Sequence, residues 1–198
     1  MVKSLNRAEF NELDINKILN NRKLENFDTY ILTQTSYTLI DLNRIQVLND
    51  EFGHLVVDEL LSFFEKELSK VLTNYDMAYW SRIGGNRYII FGIESAVDNS
   101  LFKLFTELNN SIKQYISTLY IKKKDKHLHH YDMNNYGFLM VSLTNNKEDK
   151  SKFVNIYSDV SKAVGLLDVL MYNNKSQRNR IPHFNIDISL LFNLLDEI

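Results

Sequence analysis

The chain has 198 residues, no cysteine and a formal net charge of -2, with 23 basic residues against 25 acidic ones. That length suffices for one domain with a full hydrophobic core, and the near-cancelling charges provide no global field to recruit nucleic acid or an anionic membrane, so neither is expected as a partner. The missing cysteines exclude disulfides, thiolate metal sites and thiol nucleophiles, and they fit the reducing cytoplasm expected as the protein's location.

The first twenty residues are broken by charges and lack the apolar core of a signal peptide. No later window approaches the apolar length needed to cross a bilayer. The expected order is helix, strand, helix, hairpin, helix, strand, helix. The first strand is Tyr37 to Leu42, dense in β-branched and aromatic residues. Over 55–72, Val57, Leu60, Leu61, Phe64, Leu68, Val71 and Leu72 recur at three and four residues and predict a helix. Met77 to Arg82 and Tyr88 to Ile93 predict a hairpin, with Trp80, Tyr88 and Phe91 in the core.

A second amphipathic helix is predicted over 100–120, through Leu104, Phe105, Leu108, Ile112 and Ile116. The run IKKKDKHLHH at 121–130 is expected to be a solvated loop, since His127, His129 and His130 have a metal-ligand spacing but no carboxylate pattern to accompany it. Tyr136 to Leu143 predicts the last strand and 149–173 the last long helix, through Val160, Val164, Leu167 and Met171. Beyond Pro182, the residues Ile188, Leu191, Phe192, Leu195 and Ile198 recur at helical spacing after a candidate cap at Asp187. The expected organisation is a domain over 1–181 and an amphipathic C-terminal helix over 182–198. That helix either covers the domain's own apolar surface or docks a protein partner or second copy through 183–198. The fold class is α+β, an α/β-type sandwich with a single mixed sheet flanked by helices.

Four stretches then bear on function: LNRAEF at 5–10, IDLNRIQVLNDEFGHLVVDELL at 40–61, RIGGNRY at 82–88 and LDVLMYNNKSQRNRI at 167–181. In this order and spacing they resemble the GGDEF domain, the catalytic fold of bacterial diguanylate cyclases, with its nucleotide-cyclase palm-like sheet. The resemblance runs from about residue 5 to 181. It implies a reaction in which two GTP molecules, held in two facing domains, are joined by attack of a 3′-hydroxyl on an α-phosphate. Such a displacement uses divalent metals, which take carboxylate oxygens.

Against that pattern the chain is degenerate. Asp41 matches the family's strand carboxylate and is the candidate metal ligand, so magnesium is expected only if residual nucleotide binding uses Asp41; otherwise no cofactor is required. The family's Asp-Glu pair after Gly84 and Gly85 is replaced by Asn86 and Arg87, so no catalytic residue is expected. A unit positive charge about 4 Å from a divalent ion costs several kcal/mol at an effective dielectric near 20. Asn43 stands for a second aspartate and Gln46 for a phosphate-binding lysine.

Other parts persist. Asn49 and Asp58 match the positions that face the guanine edge in the family, and Lys175 matches the lysine before its closing Gly-Arg-Asn. Val57 replaces a glycine beside Asp58, where a branched side chain obstructs close approach. Arg178 or Asn179, depending on one deletion, stands for a phosphate-binding arginine, and NYDMAYW at 74–80 lacks the arginine of the family's product-inhibition site.

Each of these has a structural alternative. Asp41, Asn49, Asp50, Gly53, His54 and Asp58 can shape and cap the strand-to-helix turn without touching a ligand. Gly84 and Gly85 can serve a hairpin turn that needs positive φ rather than a phosphate. Arg87 is either an exposed hairpin charge or a cation that meets phosphate in the metal's place. The expectation is a catalytically inactive signalling or protein-interaction module of cyclic-dinucleotide regulation, either dimeric or bound to a partner. The alternative is a receptor for GTP or a cyclic dinucleotide through Asn49, Asp58, Gly84, Gly85, Arg87 and Lys175. The remaining reading, a residual cyclase, would hold its metal with Asp41 and a backbone carbonyl.

Overall fold

The computed structural model describes residues 2–14, 17, 34–75, 77–94, 100–123, 133–145, 160–176 and 183–187. The elements are β1 (Val2–Ser4), α1 (Arg7–Asn11), β2 (Gln34–Leu42), α2 (Ile45–Phe52), α3 (His54–Leu72), β3 (Met77–Arg82), β4 (Arg87–Glu94), α4 (Ser100–Lys122), a 3-10 turn (Met133–Asn135), β5 (Phe138–Asn145), α5 (Val160–Ser176) and β6 (His183–Asp187). The strands form one mixed sheet in the order β1-β3-β4-β2-β5-β6. β1 and β6 pair in parallel with β3 and β5, and the four central strands pair antiparallel.

Alternation along the strands builds two cores, because successive side chains leave opposite faces of a sheet. Tyr88, Ile90, Ile40 and Trp80 face α3 and α4, where Leu60, Phe64, Leu68, Ile112 and Ile116 meet them. Ile89, Phe91, Leu39 and Tyr79 face the other way, against Phe10 of α1 and Val160, Ala163, Leu167 and Met171 of α5. The same period-2 rule puts Asp41 and Arg87, paired opposite each other across β2 and β4, on the α5 side of the sheet.

Trp80, Tyr88 and Phe91 are buried, as expected. The central strands and the helices over 55–72 and 100–120 lie within a few residues of their expected limits. The edge strands were not expected. Val2–Ser4 is too short for an alternation signal, yet it pairs with Ala78–Trp80. His183–Asp187 pairs with Met140–Thr144, so this part of the expected extension is a strand of the same sheet, and Asp187 ends that strand. Residues 188–198, 124–132 with the three histidines, 149–159, and Arg178 with Asn179 lie outside the described residues.

The local turns follow from the sequence. At α1, Asn6 Oδ1 accepts from the Glu9 amide at 2.9 Å while the Asn6 amide donates to Glu9 Oε2 at 2.8 Å, a reciprocal capping box. The expected side-chain caps of the 40–58 segment do not form. Neither α2 nor α3 has a side-chain cap. Gly53, at φ 83°, instead makes the corner between these helices, a conformation that costs a residue with a Cβ but not glycine.

Candidate functional site

α2, α3 and the β3–β4 turn converge on one cleft of about 450 Å3, lined by Ile45, Gln46, Asn49, His54, Val57, Asp58, Leu61, Arg82, Gly85 and Asn86. Asn49 and Asp58 are brought together although they lie on different helices, because the Gly53 corner folds α3 back against α2. Val57 sits in the cleft wall but is only 2% exposed, its bulk directed into the core. Asn49 Oδ1 is sealed from solvent and has no hydrogen-bond partner among the described residues.

The glycine turn is held from behind. Arg82 donates from Nε to the Gly84 carbonyl at 3.2 Å and from Nη2 to the Gly85 carbonyl at 2.6 Å. Its Nη1 lies 3.8 Å from Glu65 Oε1, which also accepts from the Tyr88 hydroxyl at 2.9 Å. Burial first, and then the Glu65 charge, push the Tyr88 phenol well above its ordinary value. Contrary to expectation, neither Gly84 nor Gly85 has positive φ; among the described glycines only Gly53 and Gly137 do. A Cβ on Gly85 would meet nothing within 4 Å. Neither backbone geometry nor packing therefore demands glycine at position 85.

The remaining expected site residues gather on the α5 side of the turn. Asp41, only 4% exposed, has both carboxylate oxygens engaged. Oδ1 accepts from Asn86 Nδ2 at 3.0 Å, an amide that also donates to the Leu42 carbonyl at 2.7 Å. Oδ2 lies 2.6 Å from Lys175 Nζ and 3.7 Å from Arg87 Nε. The Arg87 Nη2 is in turn ion-paired with Asp168 Oδ1. Lys175, Asp41, Arg87 and Asp168 thus form a chain of alternating charge that sums to zero.

The structure therefore divides the expected set. Asn49, Asp58, Gly85 and Asn86 share the cleft, while Lys175 and Arg87 turn away from it toward Asp41. Three participants carried no expectation: Arg82, Glu65 and Asp168. Arg82 had a signal in its place two residues before a Gly-Gly turn, and Asp168 in standing seven residues before Lys175, two helical turns along one face of α5.

A divalent cation does not fit this donor set. Hard cations bind carboxylate oxygens at roughly 2.0–2.6 Å, which would place one close to both the ammonium and the guanidinium. Each such contact at about 4 Å and an effective dielectric near 20 repels a double charge by about 8 kcal/mol. Asn86 contributes a donor toward Asp41, and a donor cannot coordinate metal. Among the described residues no group of three or more histidine and acidic side chains is assembled to hold an ion.

Comparison with known proteins gives a consistent picture. The family model described as "Diguanylate cyclase, GGDEF domain" matches residues 10–179. The signalling protein YkoW of Bacillus subtilis is 37% identical over 76 residues, a match that takes in 38% of this chain and 8% of YkoW. The GGDEF domain of YfiN (TpbB) from Pseudomonas aeruginosa superposes with a TM-score of 0.56 at 14% identity, over 92% of this chain and 96% of that one. The coiled coil and GGDEF domain of DgcB from Caulobacter crescentus, solved in complex with c-di-GMP, superposes with a TM-score of 0.57 at 14% identity, over 91% and 81%. At such identities the likeness establishes the fold. No helix among the described residues is long and apolar enough to cross a membrane.

Proposed function

Because the chain belongs to the GGDEF family of diguanylate cyclase domains, we propose that it is a catalytically inactive member that works as a guanine-nucleotide receptor in cyclic-dinucleotide signalling. The observation that carries this reading is the cleft of about 450 Å3 in which Asn49 and Asp58 face the Gly85 turn. Asp58 offers an exposed carboxylate that can accept from an amino-imino edge, Asn49 lines the same cleft, and Gly85 leaves space that no protein atom fills. Turnover is disfavoured because Asn86 and Arg87 stand where the turn would need its acids and the remaining carboxylate, Asp41, is held by Lys175 and Asn86. The complex of DgcB with c-di-GMP adds the cyclic dinucleotide to GTP as a ligand to test.

Calorimetric titration with GTP and with cyclic di-GMP, each with and without magnesium, tests the reading, together with chromatography of the GTP mixture for product. Saturable binding of either nucleotide without dinucleotide formation is expected. Magnesium-dependent dinucleotide formation that Asp41→Asn abolishes would make the chain a cyclase. Binding of neither nucleotide would leave a signalling domain that acts through a protein partner or a second copy.

A further inference from the structure

We infer that Lys175 is the resident cation of the Asp41 site, and that it and Arg87 hold there, as fixed side chains, the positive charge that a divalent metal would bring. Three observations converge on this. The ammonium lies 2.6 Å from Asp41 Oδ2, and the Asp41 side chain is only 6% exposed, so the pair is shielded on the carboxylate side. Arg87 is set opposite Asp41 by the β2–β4 register, which makes its approach a property of the sheet rather than of a wandering side chain. Asn86 closes the last direction, donating to Asp41 Oδ1 at 3.0 Å and anchored by a second bond to Leu42.

The charges also balance without an ion. Asp41 is shared by two cations, and the surplus positive charge of Arg87 is taken up by Asp168. A divalent ion would have to expel Lys175 and break the Asn86 bond, and it would then sit beside the Arg87 guanidinium. The site is therefore closed to divalent cations, and what it does instead is tie α5 to the ends of β2 and β4. Consequently a phosphate ligand in the adjoining cleft finds no metal held by Asp41. The inference concerns the ion alone and stands whether or not the cleft takes a nucleotide.

Manganese without nucleotide is the probe, its bound fraction read from the electron paramagnetic resonance signal of the free ion. The wild-type chain is expected to leave that signal undiminished, and manganese is expected to leave the thermal midpoint unchanged. Manganese uptake by the wild type that Asp41→Asn abolishes would overturn the inference. The triple variant Asn86→Asp, Arg87→Glu, Lys175→Gln removes both cations and adds two acids, and it is expected to gain manganese binding and a manganese-dependent rise in thermal midpoint. A triple variant that is folded by circular dichroism and binds no manganese would overturn the assignment of the two cations as the barrier. Should the triple variant not fold, Lys175→Arg and Lys175→Gln decide the same point: a resident cation predicts a lowered thermal midpoint for the glutamine variant and recovery toward wild type for the arginine variant. Equal midpoints for these two would overturn it.

Discussion

Lys175 Nζ lies 2.6 Å from Asp41 Oδ2, joining the last turn of α5 to the end of the central strand β2. The carboxylate is buried and the lysine side chain is 37% exposed, so removing the lysine leaves a buried charge with only the Asn86 amide and the more distant Arg87 as partners. An unsatisfied buried polar group costs about 1–3 kcal/mol, more where it is charged. Lys175→Met is therefore expected to lower stability by about 2 kcal/mol in urea unfolding. The double variant with Asp41→Asn should lose less than the sum of the two single changes, because each single change orphans the other's partner. Strict additivity would show that the pair does not hold α5.

Gly53 and Gly85 should respond in opposite ways to alanine. Gly53 has φ 83° and ψ 161°, a combination essentially confined to glycine, and holding a residue with a Cβ there costs about 1–3 kcal/mol, so Gly53→Ala is expected to destabilise by that amount. Gly85 has no positive φ and open space around its Cα, so Gly85→Ala should leave stability unchanged or raise it by about 0.5 kcal/mol through the unfolded chain. Paired denaturant melts check both. If Gly85→Ala proves as costly as Gly53→Ala, the turn needs its glycine for folding rather than for an open cleft.

Alkaline pH should unfold the chain through its buried phenols. Tyr88 and Tyr120 both titrate well above the ordinary value of 10.0, each mainly because burial penalises the phenolate, with hydrogen bonds to Glu65 and to Tyr136 adding to the shift. The unfolded chain then releases protons above pH 10 that the folded chain keeps. The stabilisation from these groups is present below pH 10 and is lost as pH rises above it. Absorbance at the phenolate band should show these tyrosines ionising only together with loss of the circular dichroism signal. Tyr88→Phe should cost about 1 kcal/mol at neutral pH for the lost Glu65 bond and flatten the alkaline decline.

How much of this was legible differs by element. The central hairpin was, because Tyr88 to Phe91 is an unbroken apolar run of β-branched and aromatic residues, as a strand buried on both faces is. The edge strand at His183 was not. A parallel edge partner of five residues gains its pairing from β5, which is a tertiary effect that local sequence does not carry. In the site, the loss of acids at 86 and 87 was visible as residue types. The inward turn of Lys175 was not, since a lysine near a helix C-terminus ordinarily points to water. Strand alternation alone puts Asp41 and Arg87 on one face, and helical spacing puts Asp168 and Lys175 on another. That these two faces meet depends on α5 packing over β2, and only the folded chain brings them together.

Asp58 offers the sharpest check of the cleft because it lies on the exposed side of α3 and lines the cavity. Surface substitutions away from packed or bonded features usually change stability by less than about 0.5 kcal/mol, so Asp58→Ala should keep the wild-type melting curve. A carboxylate that accepts from a guanine edge is worth roughly 1.5–3 kcal/mol as a charge-assisted bond, which corresponds to a ten- to hundredfold loss in nucleotide affinity at about 1.4 kcal/mol per tenfold. Asn49→Ala removes a second polar residue of the cleft lining and should weaken binding of the same ligand. Adenine nucleotides, which present an acceptor where guanine presents a donor, should bind the wild type poorly and be little affected by Asp58→Ala. Equal losses for GTP and ATP would place the phosphates, not the base, at Asp58 and would move base recognition elsewhere in the cleft.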